Sequence, residues 1–389
     1  MHSIAPAPMA WTDLVEPRTP HIARREPLTG RVAGVVARIE AVIGRDGAGS
    51  LRRVPSAGAA YPYEIVLVPP GSESVVLVDL ARRQVLVRAG DTFDADADSY
   101  PCLLVGRPWL SMRKYGPRGY LYHLIDSGHA IFDLGLLSVA DPPAAAAALP
   151  DPSGAVIGDV LAAGQIAAGT PHTSAGWRLV TTVDARVQAG RTAFEKWATR
   201  ISPPAPSHPV RFDRVRQLPG LAQRTIAARR SAASFRPGAD GDLLDRVVGT
   251  GLRYAESMLE QLDLPWPGVH VVGCGGRAVA SPPEDLLTAL AGQDHLLDAQ
   301  TFVVIGAPTR GDDSIDHRRQ GLLIAAGVVG QALYLAATEM GAAVTGVGGI
   351  EPGAWNRLLP AGQQALYLIA LGRSGDGEKF DALYPGSHG

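Results

Sequence analysis

The chain is poor in cysteine: only Cys102 and Cys274 occur in 389 residues, far apart in sequence. That count excludes a disulfide framework and a cysteine-spaced metal centre, and it predicts a reduced, cytoplasmic protein with no metal. Charge of one sign is lacking too. Lys and Arg number 36 against 38 Asp and Glu, a formal net charge of −2. Such a balance gives no electrostatic case for nucleic acid or an anionic membrane as partner. Long apolar runs are missing as well, since Leu322 to Leu335 is interrupted by glycines and Gln331. A stretch like this is expected to be too short to span a bilayer. The opening Met1-His2-Ser3-Ile4-Ala5-Pro6 has no charged start followed by an apolar stretch, so no secretory signal is expected.

What is present is a chain with 46% hydrophobic residues, enough for a large core and long enough for two domains or one large one. The most informative segment is Pro55-Ser56-Ala57-Gly58-Ala59-Ala60-Tyr61-Pro62, which leads into the strand-like Glu64-Ile65-Val66-Leu67-Val68. Pro55 fixes one backbone angle, Ser56 brings a hydroxyl to the main chain, and four small residues strip away bulk. A flat ligand can lie against such a backbone; an ordinary tight turn before a strand has the same composition. The segment lacks the Gly-Lys-Ser/Thr ending of a phosphate-binding P-loop.

The chain also repeats itself. Arg24-Arg25 and Arg229-Arg230-Ser231 each precede an expected helix and then a β-rich run, Ile65 to Val68 in one case and Val269 to Val272 in the other. Cys102-Leu103-Leu104-Val105-Gly106 is answered by Phe302-Val303-Val304-Ile305-Gly306, and the apolar helix opening at Gly128 by one opening at Gly327. Four elements in the same order, offset by about 200 residues, point to duplication. The expected domains are 1–200 and 220–389. The Pro-rich tract Ile201 to Pro209 opens a linker at 201–219. Asp141 to Pro152 reads as a surface insertion or, through its alanines, a short helix.

The Arg-Arg-Ser segment, the Pro-Ser-Ala-Gly loop, the glycine-led apolar helices and Thr345-Gly346-Val347-Gly348-Gly349-Ile350 before the strand Tyr367 to Arg373 resemble the nitroreductase superfamily of FMN enzymes. Pro-Ser-Ala-Gly-x-x-Tyr-Pro and Arg113-Lys114-Tyr115-Gly116-Pro117-Arg118 are similar to the SagB-type branch, which oxidises peptide azolines to azoles. The resemblance implies an α+β fold of two modules, each an antiparallel sheet flanked by helices, fused as an intrachain pseudo-dimer. It implies one FMN per chain, with Arg229, Arg230, Ser231, Gln331, Gly348, Gly349 and Arg373 from the second half and Pro55, Ser56, Ala57 and Gly58 from the first. The reciprocal site looks decayed, because Arg24-Arg25-Glu26-Pro27 has no serine and adds an acid. Ala233 stands where the family usually has a further basic residue.

The same resemblance assigns Lys114 and Tyr115 to catalysis. Lys114 would take the proton next to the carbonyl while a hydride passes from the adjacent ring carbon to flavin N5, and Tyr115 would orient the lysine or relay the proton. A lysine ordinarily titrates near ~10.4. Arg113, Arg118 and burial against FMN are expected to lower that value. A basic surface loop with one tyrosine has the same residues. The implied activity is FMN-dependent oxidation of thiazoline or oxazoline rings in a ribosomally made precursor peptide, with oxygen as final acceptor and a cyclodehydratase as a possible companion. An NAD(P)H-dependent nitro- or quinone reductase and a non-catalytic flavin-binding scaffold are the alternatives. His123 and His129 near Asp126 and Asp133 read as polar helix positions, and His317-Arg318-Arg319 as an exposed helix start able to bind an acidic leader peptide.

Overall fold

The computed structural model describes residues 22–45, 51–68, 76–90, 97–140, 160–169, 173–182, 209–216, 218, 221, 223–273, 276–309 and 317–375. The Pro-rich Ile201 to His208, the Asp141 to Pro152 tract and Cys274 lie outside them. The chain divides into two compact units, Met1–Gln217 with Ser314–Gln320, and Leu218–Asp313 with Gly321–Gly389.

The first unit runs β1 (Ile22–Pro27), α1 (Arg31–Ile43), β2 (Tyr63–Leu67), β3 (Val76–Asp79), β4 (Gln84–Arg88), β5 (Ser99–Gly106), α2 (Pro108–Tyr115), α3 (Gly119–Ala140), β6 (Val160–Ala167), β7 (Arg178–Thr182) and β8 (Val210–Arg211). In α1, Val32, Val35, Val36, Ile39, Val42 and Ile43 are buried. That spacing of three and four is what one face of a helix requires. The strands form one sheet in the order β1-β7-β4-β3-β2-β5-β6-β8. The sheet departs from the expected antiparallel arrangement, because β7 joins β4 and β8 joins β6 in parallel. Residues 210–214 of the expected linker belong to this unit. After the last proline Val210 and Arg211 are free to pair with β6, and Phe212 is fully buried. Helix α3 is mostly apolar and, apart from half-buried Leu121, buried from Tyr120 to Leu137, which makes it the core helix of the unit.

The second unit runs α4 (Gln223–Ala228), β9 (Phe235–Arg236), α5 (Gly241–Leu262), β10 (Gly268–Gly273), α6 (Leu286–Ala289), β11 (Thr301–Pro308), α7 (His317–Met340, in this unit from Gly321), β12 (Ala343–Val347), α8 (Pro352–Asn356) and β13 (Gln363–Ser374). Asp240 caps α5 by accepting from the Asp242 N–H, and a stripe from Leu244 to Leu262 buries its inner face. The sheet order is β10-β11-β13-β12, antiparallel throughout, with β9 also on β13. Its core holds Val272, Phe302, Val304, Val347, Trp355 and Leu368. The Phe302 and Trp355 rings lie 5.3 Å apart.

Each unit contains the same series: a helix, two strands, a long apolar helix and a third strand. In the first it is α1, β2, β5, α3 and β6, and in the second α5, β10, β11, α7 and β13. The three strands pair consecutively and antiparallel in both. The arginine pairs depart from the repeat. Arg24 and Arg25 lie exposed on β1, where Arg24 pairs with Glu26 at 2.6 Å, whereas Arg229 and Arg230 follow a helix. Helix α7 has 24 residues, long and apolar enough to cross a membrane, contrary to the reading of its broken apolar run. Of its most apolar window 89% is buried within the protein, which is the position of a core helix.

Candidate functional site

In the first unit the Pro-Ser-Ala-Gly segment forms a strained loop. Gly58 (φ 57°), Ala59 (φ 55°) and Tyr61 (φ 43°) all lie in the left-handed region. Glycine takes that conformation readily, but Ala59 and Tyr61 cost about 1–3 kcal/mol each and must be held there. The holding group is Asp126 on α3. Ser56 Oγ donates to Asp126 Oδ2 at 2.7 Å, and the Ala57 N–H donates to both carboxylate oxygens at 3.2 and 3.1 Å. Ser56 Oγ in turn accepts from the Tyr61 N–H at 2.8 Å, closing the loop on itself. Tyr61 OH accepts from the Arg52 N–H at 2.7 Å, and the Arg52 guanidinium stacks 4.5 Å from the Tyr61 ring.

Lys114 and Tyr115 end α2, and Gly116 (φ 56°) turns the chain toward α3. Lys114 Nζ donates to the Gly58 carbonyl at 3.4 Å and lies 5.6 Å from the Tyr115 ring centre. A Cβ on Gly58 would stand 2.3 Å from Lys114 Nζ and 2.4 Å from Tyr115 OH. The loop and the Lys-Tyr pair therefore touch, and only glycine fits between them. Tyr115 also meets Tyr122 of α3 edge-on at 5.0 Å. Lys114 and Arg118 are exposed, so the first unit does not itself provide the burial expected around the lysine.

Burial pushes the Asp126 carboxyl up to about 7, against the pull of its hydrogen bonds from Ser56 and Ala57. Glu64 on β2, salt-bridged to Arg107, is likewise pushed up to about 7 by burial. Both folded values stand above the ordinary 3.8 and 4.5, so the folded protein holds these protons more tightly than the unfolded chain. The stability tied to the neutral carboxyls is complete below about pH 4 and is lost as pH rises through 7. Asp126→Asn removes one of the two groups. Its thermal midpoint relative to the parent should therefore be more favourable at pH 8 than at pH 5, and an offset independent of pH would contradict the assignment.

In the second unit, Arg229, Ser231 and Tyr334 form one cluster. Arg229 is buried, with its guanidinium 5.1 Å from the Tyr334 ring centre and 3.5 Å from Ser231 Oγ. Ser231 Oγ and Tyr334 OH are 3.0 Å apart, and Tyr334 OH accepts from the Gly346 N–H at 2.6 Å. The Ala232 N–H donates to the Val344 carbonyl, so this segment runs along β12. Gly348 and Gly349 follow directly after β12, and Gln293 Nε2 donates to the Gly349 carbonyl at 2.5 Å. Gln331 is fully buried one turn before Tyr334 on α7. Arg230 is exposed and bonds the carbonyls of Ala227 and Arg229. Arg373 stands exposed at the end of β13, in register with Arg236. A buried guanidinium and a hydroxyl 3.5 Å from it on one short segment are a donor pair that a phosphoryl group takes. In that respect the residues fit FMN.

Two residues of these clusters were not legible as such in the sequence, Asp126 and Tyr334. The signal for both was a polar group inside an apolar helix, which must find a partner. Ser127 Oγ donates to the His123 carbonyl at 2.7 Å within its own helix. Among the described residues there is no group of three or more His, Cys, Asp or Glu side chains able to hold a metal ion.

Residues 248–373 match the Nitroreductase family. A nitroreductase-type crystal structure from Anabaena variabilis is 17% identical over 89% of this chain and 88% of its own, with a TM-score of 0.55. That likeness shows the fold. A nitroreductase family protein of Clostridium difficile (15% identity, 39% of this chain, 82% of its own, TM-score 0.27) and nitroreductase A of Vibrio parahaemolyticus (22%, 39%, 66%, 0.29) also match. No curated protein matches the chain.

Proposed function

We propose, from the nitroreductase-family domain at residues 248–373, that this chain is an FMN-dependent oxidoreductase that oxidises azoline rings of a peptide to azoles. The family supports the flavin chemistry. The azoline specificity rests on one observation: the loop carrying Gly58 and the Lys114-Tyr115 pair, 56 residues apart in sequence, meet at 3.4 Å.

FMN, when bound, supplies the hydride acceptor for ring oxidation. Arg229 and Ser231 would hold its phosphate by charge-assisted and hydroxyl hydrogen bonds, and the absence of side chains at Gly348 and Gly349 would let a ring edge approach the main chain. Lys114 takes the proton from the ring carbon next to the carbonyl. Tyr115, braced by Tyr122, fixes the direction from which the amine approaches. The chain takes up one FMN. The substrate is a precursor peptide, and the exposed His317 and Arg318 at the start of α7 suit an acidic leader segment. An azoline-forming cyclodehydratase must act before this enzyme.

The test is the visible spectrum of the purified protein, with FMN released by denaturation and counted per chain. One FMN per chain is expected. Two would refute the single site, and none after FMN is added would leave a scaffold rather than an enzyme. With flavin present, rapid bleaching by reduced nicotinamide and no oxidation of a thiazoline peptide would favour a nitro- or quinone reductase.

A further inference from the structure

Asp126 is 4% exposed on helix α3, whose buried residues are mostly apolar. The hydrogen-bond partners described for its carboxylate, Ser56 Oγ and the Ala57 N–H, both belong to one loop. Ser56 Oγ passes the restraint on to the Tyr61 N–H, so one carboxylate fixes both ends of the segment 56–61. Two non-glycine residues in that segment, Ala59 and Tyr61, have positive φ, and a loop free to relax would not keep them so. The apex of the loop faces Lys114, which donates to the Gly58 carbonyl. One turn before Asp126, Tyr122 of the same helix braces Tyr115 edge-on.

We propose that Asp126 is a positioning residue that clamps the loop 56–61 to α3 and thereby sets where Lys114 presents its amine. Within two turns α3 governs both partners, the loop through Asp126 and the Lys-Tyr pair through Tyr122. Without the carboxylate, Ser56 and Ala57 lose their shared acceptor, Ala59 and Tyr61 relax, and the Gly58 carbonyl leaves Lys114. The catalytic meaning of this clamp rests on the azoline reading; the clamp itself does not.

The experiment therefore uses the full chain without substrate. The sequence has three lysines, Lys114, Lys196 and Lys379, so acetylation by acetic anhydride can be followed at Lys114 by mass spectrometry against the other two. In Asp126→Ala, the acetylation rate of Lys114 relative to the other two should change about fivefold or more. Hydrogen exchange at Ala57 and Tyr61 should accelerate about tenfold, with the sheet unchanged. Ser56→Ala leaves α3 intact and should move both readouts in the same direction by less. Asp126→Asn keeps one acceptor oxygen and should restore part of the protection. Parent-like labelling and exchange in both alanine variants would overturn the clamp. So would exchange raised evenly across the first unit, which would mean only a weakened fold. Should the azoline activity fail while these shifts appear, the clamp stands and the substrate assignment falls.

Discussion

Lys114→Ala should lower oxidation of a thiazoline-containing peptide by about 10²- to 10⁴-fold, the range that a positioned acid or base contributes. FMN content should stay at the parent level, because the residues assigned to the phosphate are Arg229 and Ser231. The side chain removed bonds the Gly58 carbonyl and lies beside the Tyr115 ring, and it carries no core packing, being exposed. The variant should therefore melt with the parent. Lys114→Arg keeps a cation that cannot give up its proton at neutral pH, so it should fail equally if the lysine is the base. Comparing turnover, flavin content and melting across the two variants separates the roles. Parent-like turnover in Lys114→Ala would remove the base assignment and return the chain to the reductase alternative.

Gly346→Ala should be a damaging small change in the second unit. A Cβ there would stand 1.9 Å from Tyr367 OH and 2.9 Å from its Cζ. Tyr367 is buried on β13, the strand that pairs with β12, so neither side can yield easily. Overpacking of this kind costs about 1–3 kcal/mol, which at roughly 2–4 °C per kcal/mol for a unit of this size lowers the melting midpoint by about 2–12 °C. The Gly346 N–H also donates to Tyr334 OH, which stands beside Ser231, so flavin retention should fall along with stability. Gly346→Ala combined with Tyr367→Phe removes the nearer clash and should recover part of the midpoint. An unchanged midpoint in the single variant would show that the strands shift freely there.

Much of the fold was legible in local pattern. The helix expected between Arg24-Arg25 and Ile65 is α1, and the apolar runs ending at Gly106 and Gly306 became β5 and β11. What misled was also local. The prolines before Pro209 read as a linker through 219, although Val210 pairs with β6 and Phe212 is core. The glycines and Gln331 between Leu322 and Leu335 read as leaving the apolar run too short for a bilayer, yet α7 has 24 residues and enough apolar length, with 89% of its most apolar window buried.

By itself the sequence determined which short segments stand out as the proposed site: the Pro-Ser-Ala-Gly loop, the Lys-Tyr pair, the Arg-Arg-Ser segment and the late glycines. Residue size, fixed proline angles and donor type are properties of neighbours along the chain. Only the tertiary structure decided which segments meet and what holds them. Ser56 finds Asp126 70 residues away, Lys114 finds Gly58 56 away, and Ser231 finds Tyr334 103 away. A buried carboxylate or hydroxyl must have a partner, but its own helix says nothing of which one; that choice is made when sheet and helix pack and bring distant polar groups into the same dry space.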